Sequence, residues 1–225
     1  RYYDQGTPDP LHIHKRRPML LGTHGFPLLT HTSNQKILGN SYPKWVAGIN
    51  NSFSYTSFTL SFLFDGHFDV RKYDQLNNFM SAFGIAKYTE NRNQTITFDG
   101  VLADGTKNNK PVWLGQGVGP DGVDYGDGYY RRFYRGISEH FVEDASFIKL
   151  RTLSLTYNLN PKWLTGTFVK AARVGFTGNN LWIHTNYLGF DPESSSSVAG
   201  SNGNGFAGFN TPALRSFMFN INVTF

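Results

Sequence analysis

The last ten residues, Ser216-Phe217-Met218-Phe219-Asn220-Ile221-Asn222-Val223-Thr224-Phe225, are apolar at every odd position. The even positions carry Ser, Met, Asn, Asn and Thr. An alternation of period two places the two sets on opposite faces of a β-strand, each facing a different solvent. Ten residues, tilted, is also the length that crosses a bilayer as a strand. A second pattern runs from Trp45 to Phe64 without one Asp, Glu, Lys or Arg. It is too rich in Ser, Thr and Asn for a lone helix in lipid. It resolves instead into two strands, about 44–54 and 58–66, with Tyr55-Thr56-Ser57 as the turn. Trp45, Ala47, Ile49, Phe53 and Tyr55 share one apolar face. Phe58, Leu60, Phe62 and Phe64 share that of the second strand. Leu153, Leu155, Tyr157 and Leu159 alternate with Thr152, Ser154, Thr156 and Asn158 in a third strand, about 144–158. Val174, Phe176 and Trp182 define a fourth, about 170–183, with Gly178 and Asn180 interrupting its apolar side. The fifth is about 213–225.

The connections alternate in length: the Tyr55–Ser57 turn is short, 67–143 long, the Asn160-Pro161 connection short and 184–211 long. Outer-membrane barrels show this asymmetry, with short periplasmic turns and long extracellular loops. It sends the last strand downward and leaves Phe225 at the periplasmic rim. Residues 1–43 read as a further extracellular loop. The competing fold is a soluble carbohydrate-binding β-sandwich, whose strands also alternate. Long aromatic strands, loops sorted by length and charge-poor strand centres favour the membrane barrel. Five strands cannot close one, because open sheet edges in lipid leave backbone groups unpaired. The expected fold is therefore all-β, an antiparallel arc completed by strands outside this sequence.

Composition sharpens that picture. Of 225 residues, 16% are charged and 16% aromatic, with 20 Phe and 12 Tyr. A soluble protein carries about 25% charged residues, so the deficit fits strands buried in a non-aqueous medium. There is no Cys, which excludes disulfides and thiolate metal sites. The net charge of +5 gathers at Lys15-Arg16-Arg17 and at Arg131-Arg132 with Arg135. These read as solvated loop charge or as contacts for an anionic partner. Nucleic acid is not expected: zinc-finger spacing, RNP motifs and basic helices are absent. No apolar signal core follows Arg1, so a leader has been removed or the chain continues something longer.

Several phrases, in order, resemble one family. Ile37-Leu38-Gly39-Asn40-Ser41-Tyr42-Pro43-Lys44-Trp45 leads into Gly48-Ile49-Asn50-Asn51-Ser52-Phe53-Ser54-Tyr55, then Leu60-Ser61-Phe62-Leu63-Phe64-Asp65-Gly66. Val142-Glu143-Asp144-Ala145-Ser146-Phe147-Ile148-Lys149-Leu150-Arg151 follows, and later Phe176-Thr177-Gly178-Asn179-Asn180-Leu181-Trp182 and Tyr187-Leu188-Gly189-Phe190-Asp191-Pro192-Glu193. From about residue 37 to 225 the chain resembles the C-terminal portion of SusC/RagA-like TonB-dependent outer-membrane transporters of Gram-negative bacteria. The resemblance implies the last five strands of a 22-stranded transmembrane β-barrel. It also implies a plug domain, import of oligosaccharides or peptides, a SusD-like surface lipoprotein lid and energy from the TonB complex through an absent N-terminal part. The terminal Phe225 would belong to the barrel-assembly signal, with Phe217, Phe219, Ile221 and Val223 facing lipid.

Candidate contacts for substrate or lid lie in the 67–143 connection: Trp113, Tyr125, Tyr129, Tyr130, Arg131, Arg132 and Tyr134. Aromatics and Arg are enriched at interfaces, although the same rings also serve as packing within a folded loop. Asp121, Asp124 and Asp127 offer carboxylates to Ca²⁺, but their spacing does not fit an EF-hand, and an ordinary Gly/Asp turn accounts for them. His12, His14, His24 and His31 include a His-x-His pair able to chelate a metal on a strand, without evident supporting groups. No resident cofactor is expected. The tract from Ser194 to Gly208 reads as a mobile loop tip. G-x-S-x-G is absent, and Glu143-Asp144 at a strand start point to opposite faces, so no enzymatic activity is expected.

Overall fold

The computed structural model describes residues 19–29, 36–197 and 202–225. The elements, in order, are β1 (Trp45–Tyr55), β2 (Phe58–Phe68), β3 (Arg71–Asp74), α1 (Gln75–Ala82), β4 (Thr95–Ile96) and β5 (Val112–Trp113). They continue with α2 (Gly128–Arg132), β6 (Val142–Asp144), β7 (Phe147–Asn158), β8 (Ala171–Thr185), β9 (Phe206–Ala207) and β10 (Ser216–Thr224). The chain forms two compact units, residues 1–38 with 73–143, and 39–72 with 144–225.

The second unit is built on one antiparallel sheet of five strands, ordered β1-β2-β7-β8-β10. Every residue of β1 and β10 is exposed on both faces, which a sandwich strand, covered on one face, cannot be. The two outer edges, β1 and β10, carry unpaired backbone groups. The sheet is thus an open arc, as the strand count requires. An eleven-residue strand such as β2, at about 3.4 Å per residue and about 45° tilt, rises about 26 Å, close to the apolar band of a transmembrane barrel.

The register fixes the faces. Phe53 opposes Leu60, and Ile49 opposes Phe64. Phe62 opposes Leu153, Leu155 opposes Phe176, and Phe176 opposes Phe219. That is one continuous apolar face. Phe219 is 81% exposed and Ile221 72%. The other face is a ladder of short hydroxyls and amides. Ser52 bonds Ser61 at 3.0 Å, Ser54 bonds Thr59 at 3.0 Å, and Ser154 bonds Thr177 at 2.9 Å. Asn179 accepts from Thr152 at 3.2 Å and donates to Ser216 at 3.1 Å. Aromatic rings gather at the end with the short turns. Phe58 lies 4.6 Å from Tyr157, Tyr157 lies 6.4 Å from Trp163, and Phe168 stacks on Phe225 at 5.5 Å.

Several sequence boundaries shift. The first strand runs to Tyr55, paired with Phe58, so the turn is Thr56-Ser57 alone, with Thr56 at φ 51°. Full pairing of the ladder leaves only two residues to reverse the chain. The expected strand 58–66 extends to Phe68, and 170–183 becomes Ala171–Thr185. The expected strand 144–158 divides into β6 and β7 because Asp144 turns back to accept from both the amide and hydroxyl of Ser146. The last strand starts at Ser216 rather than 213. Asn160 caps Pro161–Trp163, its side chain accepting from the Lys162 amide at 3.0 Å.

The connection 67–143 is not a bare loop. Its residues 73–143, together with residues 19–29, fold into the first unit. Leu21, Val112, Leu114, Ile137 and Phe141 are nearly fully buried there, and the Leu21 amide donates to the Val101 carbonyl at 2.8 Å. Within 184–211, Asn202–Gly205 form a 3-10 turn and β9 buries Ala207. The described part of the Ser194–Gly208 tract is therefore tied down by backbone pairing, which its composition conceals. His12, His14, His31 and Lys15-Arg16-Arg17 lie outside the described residues.

Candidate functional site: a polar wall with an ionic latch, and an aromatic loop unit

In the polar face of the sheet, one irregularity changes the chemistry. Leu63 pairs with Thr152 and Phe64 with Leu150, so Arg151 is an extra residue, a β-bulge. A bulge re-aims the side chains beyond it. From Thr152 to Asn158 the even residues of β7 face the polar side; from Phe147 to Arg151 the odd ones do. Lys149 therefore stands opposite Asp65, and Phe147 opposite His67, all on the hydroxyl-lined face. Without the bulge Lys149 would point to the apolar face.

Lys149 is 4% exposed, and burial of a lone ammonium is prohibitive. It is paired twice, donating to Asp191 at 2.9 Å and to Glu193. Arg151 bridges Asp65 at 2.6 Å and Glu193 through both terminal nitrogens. His67 lies 3.7 Å from Asp65. Lys72 donates to the Ser194 carbonyl at 2.7 Å. The carboxylates are themselves fixed: Asp191 accepts from the Glu193 amide at 3.0 Å and the Ala213 amide at 3.1 Å. Burial works against the charged form of both acids. The Lys149 ammonium and backbone amides outweigh it at Asp191, and the Arg151 guanidinium and Lys149 ammonium outweigh it at Glu193, so both lie below the usual carboxylate range. Burial drives the Lys72 ammonium below its ordinary value, against the pull of Glu193 and Asp191. This network latches the 191–194 segment onto the end of the sheet. A cavity of about 180 Å³ beside it is lined by His67, Lys72, Phe147 and Glu193, among others.

The first unit gathers the aromatic residues picked out in the sequence. Phe26 stacks on Phe133 at 4.5 Å and meets Tyr125 edge-on at 5.9 Å. Tyr129 packs on Phe98 at 5.1 Å and on Tyr130 at 5.2 Å. Tyr134 contacts Tyr130 at 5.4 Å and His140 at 4.0 Å. Tyr130 is buried and donates to the Tyr88 carbonyl at 3.0 Å. Burial, then the neighbouring Tyr88 and Tyr130 hydroxyls, push the Tyr134 hydroxyl up to about 12. Phe26 and Tyr130 are buried, and Tyr125, Tyr129, Phe133 and Tyr134 are half-buried, packed ring on ring within the unit. Trp113 is half-buried, edge-on to Tyr125 at 6.0 Å. Arg131 and Arg132 are exposed; Arg132 lies 5.4 Å over the Phe133 ring.

Each of the three aspartates has a local partner. Asp121 accepts from Tyr125 at 2.7 Å and from the Val123 amide, Asp124 from the Gly126 amide at 2.9 Å, and Asp127 sits 3.8 Å from Arg131. Among the described residues no three His, Asp or Glu side chains gather to hold a metal ion. Trp113, Tyr130, Arg131 and Asp127 do converge, with Arg92, on a cavity of about 200 Å³. The sequence reading missed the ionic latch, although its residues lie inside the phrases Ile148-Lys149-Leu150-Arg151 and Phe190-Asp191-Pro192-Glu193. The signal was a pair of bases in a strand and a pair of acids 42 residues later.

No protein-family model matches the chain. Among curated proteins of Formosa agariphila, TonB-dependent receptor P39 is 26% identical over 86% of this chain and 17% of its own length. TonB-dependent receptor P26 is 27% identical over 86% of this chain and 18% of its own length. The chain thus spans less than a fifth of the relatives it matches. Among solved structures, the RagAB peptide importer in its open-open state aligns with a TM-score of 0.54 at 19% identity, over 89% of this chain and 19% of that one. Its closed-closed state aligns equally well. The resemblance read in the sequence therefore stands: over most of its length this chain is similar to a stretch of TonB-dependent receptors, and its fold is that of a barrel arc of the SusC/RagA-like type.

Proposed function

We propose that this chain is part of the wall and extracellular loops of a TonB-dependent active transporter in the outer membrane, importing large nutrients, oligosaccharides or peptides. The observation that carries this reading is the five-stranded sheet, with one apolar face and one lined by Ser, Thr and Asn, whose outer strands β1 and β10 are exposed on both faces. Along β1 and β10 neither face is covered, so each needs a different surrounding: lipid outside, a wet passage inside. Its partners in this reading are the remaining strands and plug of the same transporter, a SusD-like surface lipoprotein, and the TonB complex. The likeness to the RagAB peptide importer supports a two-component importer of this kind. The activity proposed is transport, not catalysis. The test is extraction of the native membrane. The chain is expected to purify in detergent with the rest of its barrel and a surface lipoprotein. A folded monomer in detergent-free buffer would contradict the proposal.

A further inference from the structure

We propose that the cavity lined by Arg92, Trp113 and Arg131 in the first unit is a subsite for a sugar residue bearing a carboxylate. It is about 200 Å³, below the roughly 300–1,000 Å³ of an ordinary small-molecule site, which fits one ring rather than a folded chain.

Its charge is unbalanced. Two guanidinium groups, Arg92 and Arg131, share the cavity with one carboxylate, Asp127. Arg131 holds Asp127 only at 3.8 Å. Arg92 makes one long hydrogen bond, to the Thr89 carbonyl at 3.3 Å. Most of the ten N–H groups of the two side chains are thus unspent among the described residues. A planar carboxylate is the group that takes two parallel N–H bonds from one arginine. The backbone places both walls. Gly84 sits at φ 67°, and a Cβ there would meet the Arg92 Cδ at 2.8 Å, so glycine lets Arg92 lie across the turn. Gly115 lies under the Trp113 indole, which any side chain at that position would displace. Asn93 and Gln116 add amides that both donate and accept, as ring hydroxyls require. The indole supplies an apolar wall, as aromatic side chains do at ligand sites. A ring with hydroxyls and one carboxylate uses all three features.

The inference rests on the transporter reading for the origin of the ligand, but binding itself does not need transport. The complete transporter in detergent is titrated calorimetrically with trigalacturonate, with its methyl ester, and with a tripeptide of alanine ending in aspartate. Trigalacturonate is expected to bind about tenfold or more tightly than the ester, since the ester loses the charge-assisted bonds. Arg92→Gln and Arg131→Gln are each expected to remove most of that difference, weakening the acid far more than the ester. Equal binding of acid and ester overturns the proposal, as does acid binding indifferent to both variants. Tighter binding of the tripeptide replaces the saccharide by a peptide and equally overturns it. A transporter that fails to bind trigalacturonate, yet shows lipid at Phe219, loses the subsite and keeps its barrel. One that binds the acid while both faces of β10 meet water loses the barrel and keeps the subsite.

Discussion

The two units of this chain solve opposite problems. The loop unit folds inward: Leu21, Val112, Leu114 and Phe141 are buried and its tyrosines pack ring on ring. The sheet turns its apolar residues outward, with Phe217, Phe219 and Ile221 exposed. Apolar side chains therefore carry opposite meanings in the two regions. In one they leave water by packing together; in the other, on the transporter reading proposed above, their burial waits on lipid. The polar residues reverse as well. They are satisfied one by one in turns of the loop unit and form a continuous ladder on the sheet. A mutation has to be judged by which of these surroundings it enters.

The largest expected effect is a charge on the apolar face. Ile221→Arg, near mid-strand, is expected to cost about 2–4 kcal/mol of barrel stability in lipid. Asn220→Arg, one residue away on the ladder face, should be tolerated. Folding yield into vesicles and heat-modified gel mobility measure both, and equal losses would break the contrast between faces. Next is the latch. Asp191→Ala takes the 2.9 Å partner from buried Lys149, which keeps only Glu193, so the cost is expected at or below the roughly 3 kcal/mol of a fully broken buried pair. Faster proteolysis within 186–197 is expected, with the paired change Lys149→Met and Asp191→Asn restoring resistance.

The units should also fail at opposite ends of the pH scale. Asp191 and Glu193 are depressed in the folded chain. Their stabilisation is complete above the unfolded carboxylate pKa of about 4 and is lost as pH falls through the lower folded values. The Tyr134 hydroxyl is raised to about 12. Its contribution is intact below the unfolded pKa of about 10 and disappears as pH climbs toward the folded value. Site-resolved hydrogen exchange in the assembled transporter should show the 191–194 segment loosening in acid and residues 129–141 loosening in alkali. The smallest effect is at the hairpin turn. Thr56 holds φ 51°, strained for a β-branched residue, so Thr56→Gly should stabilise the hairpin by about 1 kcal/mol.

The sheet was legible because a strand writes its two surroundings into alternate positions; β10 and β1 needed only the period. The loop unit was harder to read. Its rings bring Phe26 and Phe98 against Tyr129 and Phe133, segments far apart in sequence of which only Tyr129 lies in an element, the five-residue α2, so those rings looked equally like a binding surface. The latch was invisible for another reason. Strict alternation places Lys149 with Leu153 and Leu155 on the apolar face, and only the bulge at Arg151 moves it to the other. Such a register shift is decided by pairing with β2 and β8, not by the local sequence.

The measurement that bears most directly on the central claim is a cysteine scan along β10, from Phe217 to Val223, in the assembled transporter in membranes. Each site is challenged with a lipid-confined spin probe and a water-soluble thiol reagent. The account predicts alternation: lipid contact at Phe217, Phe219, Ile221 and Val223, and water access at Met218, Asn220 and Asn222. Uniform access to water along the strand, or protection of every position from both probes, would contradict it.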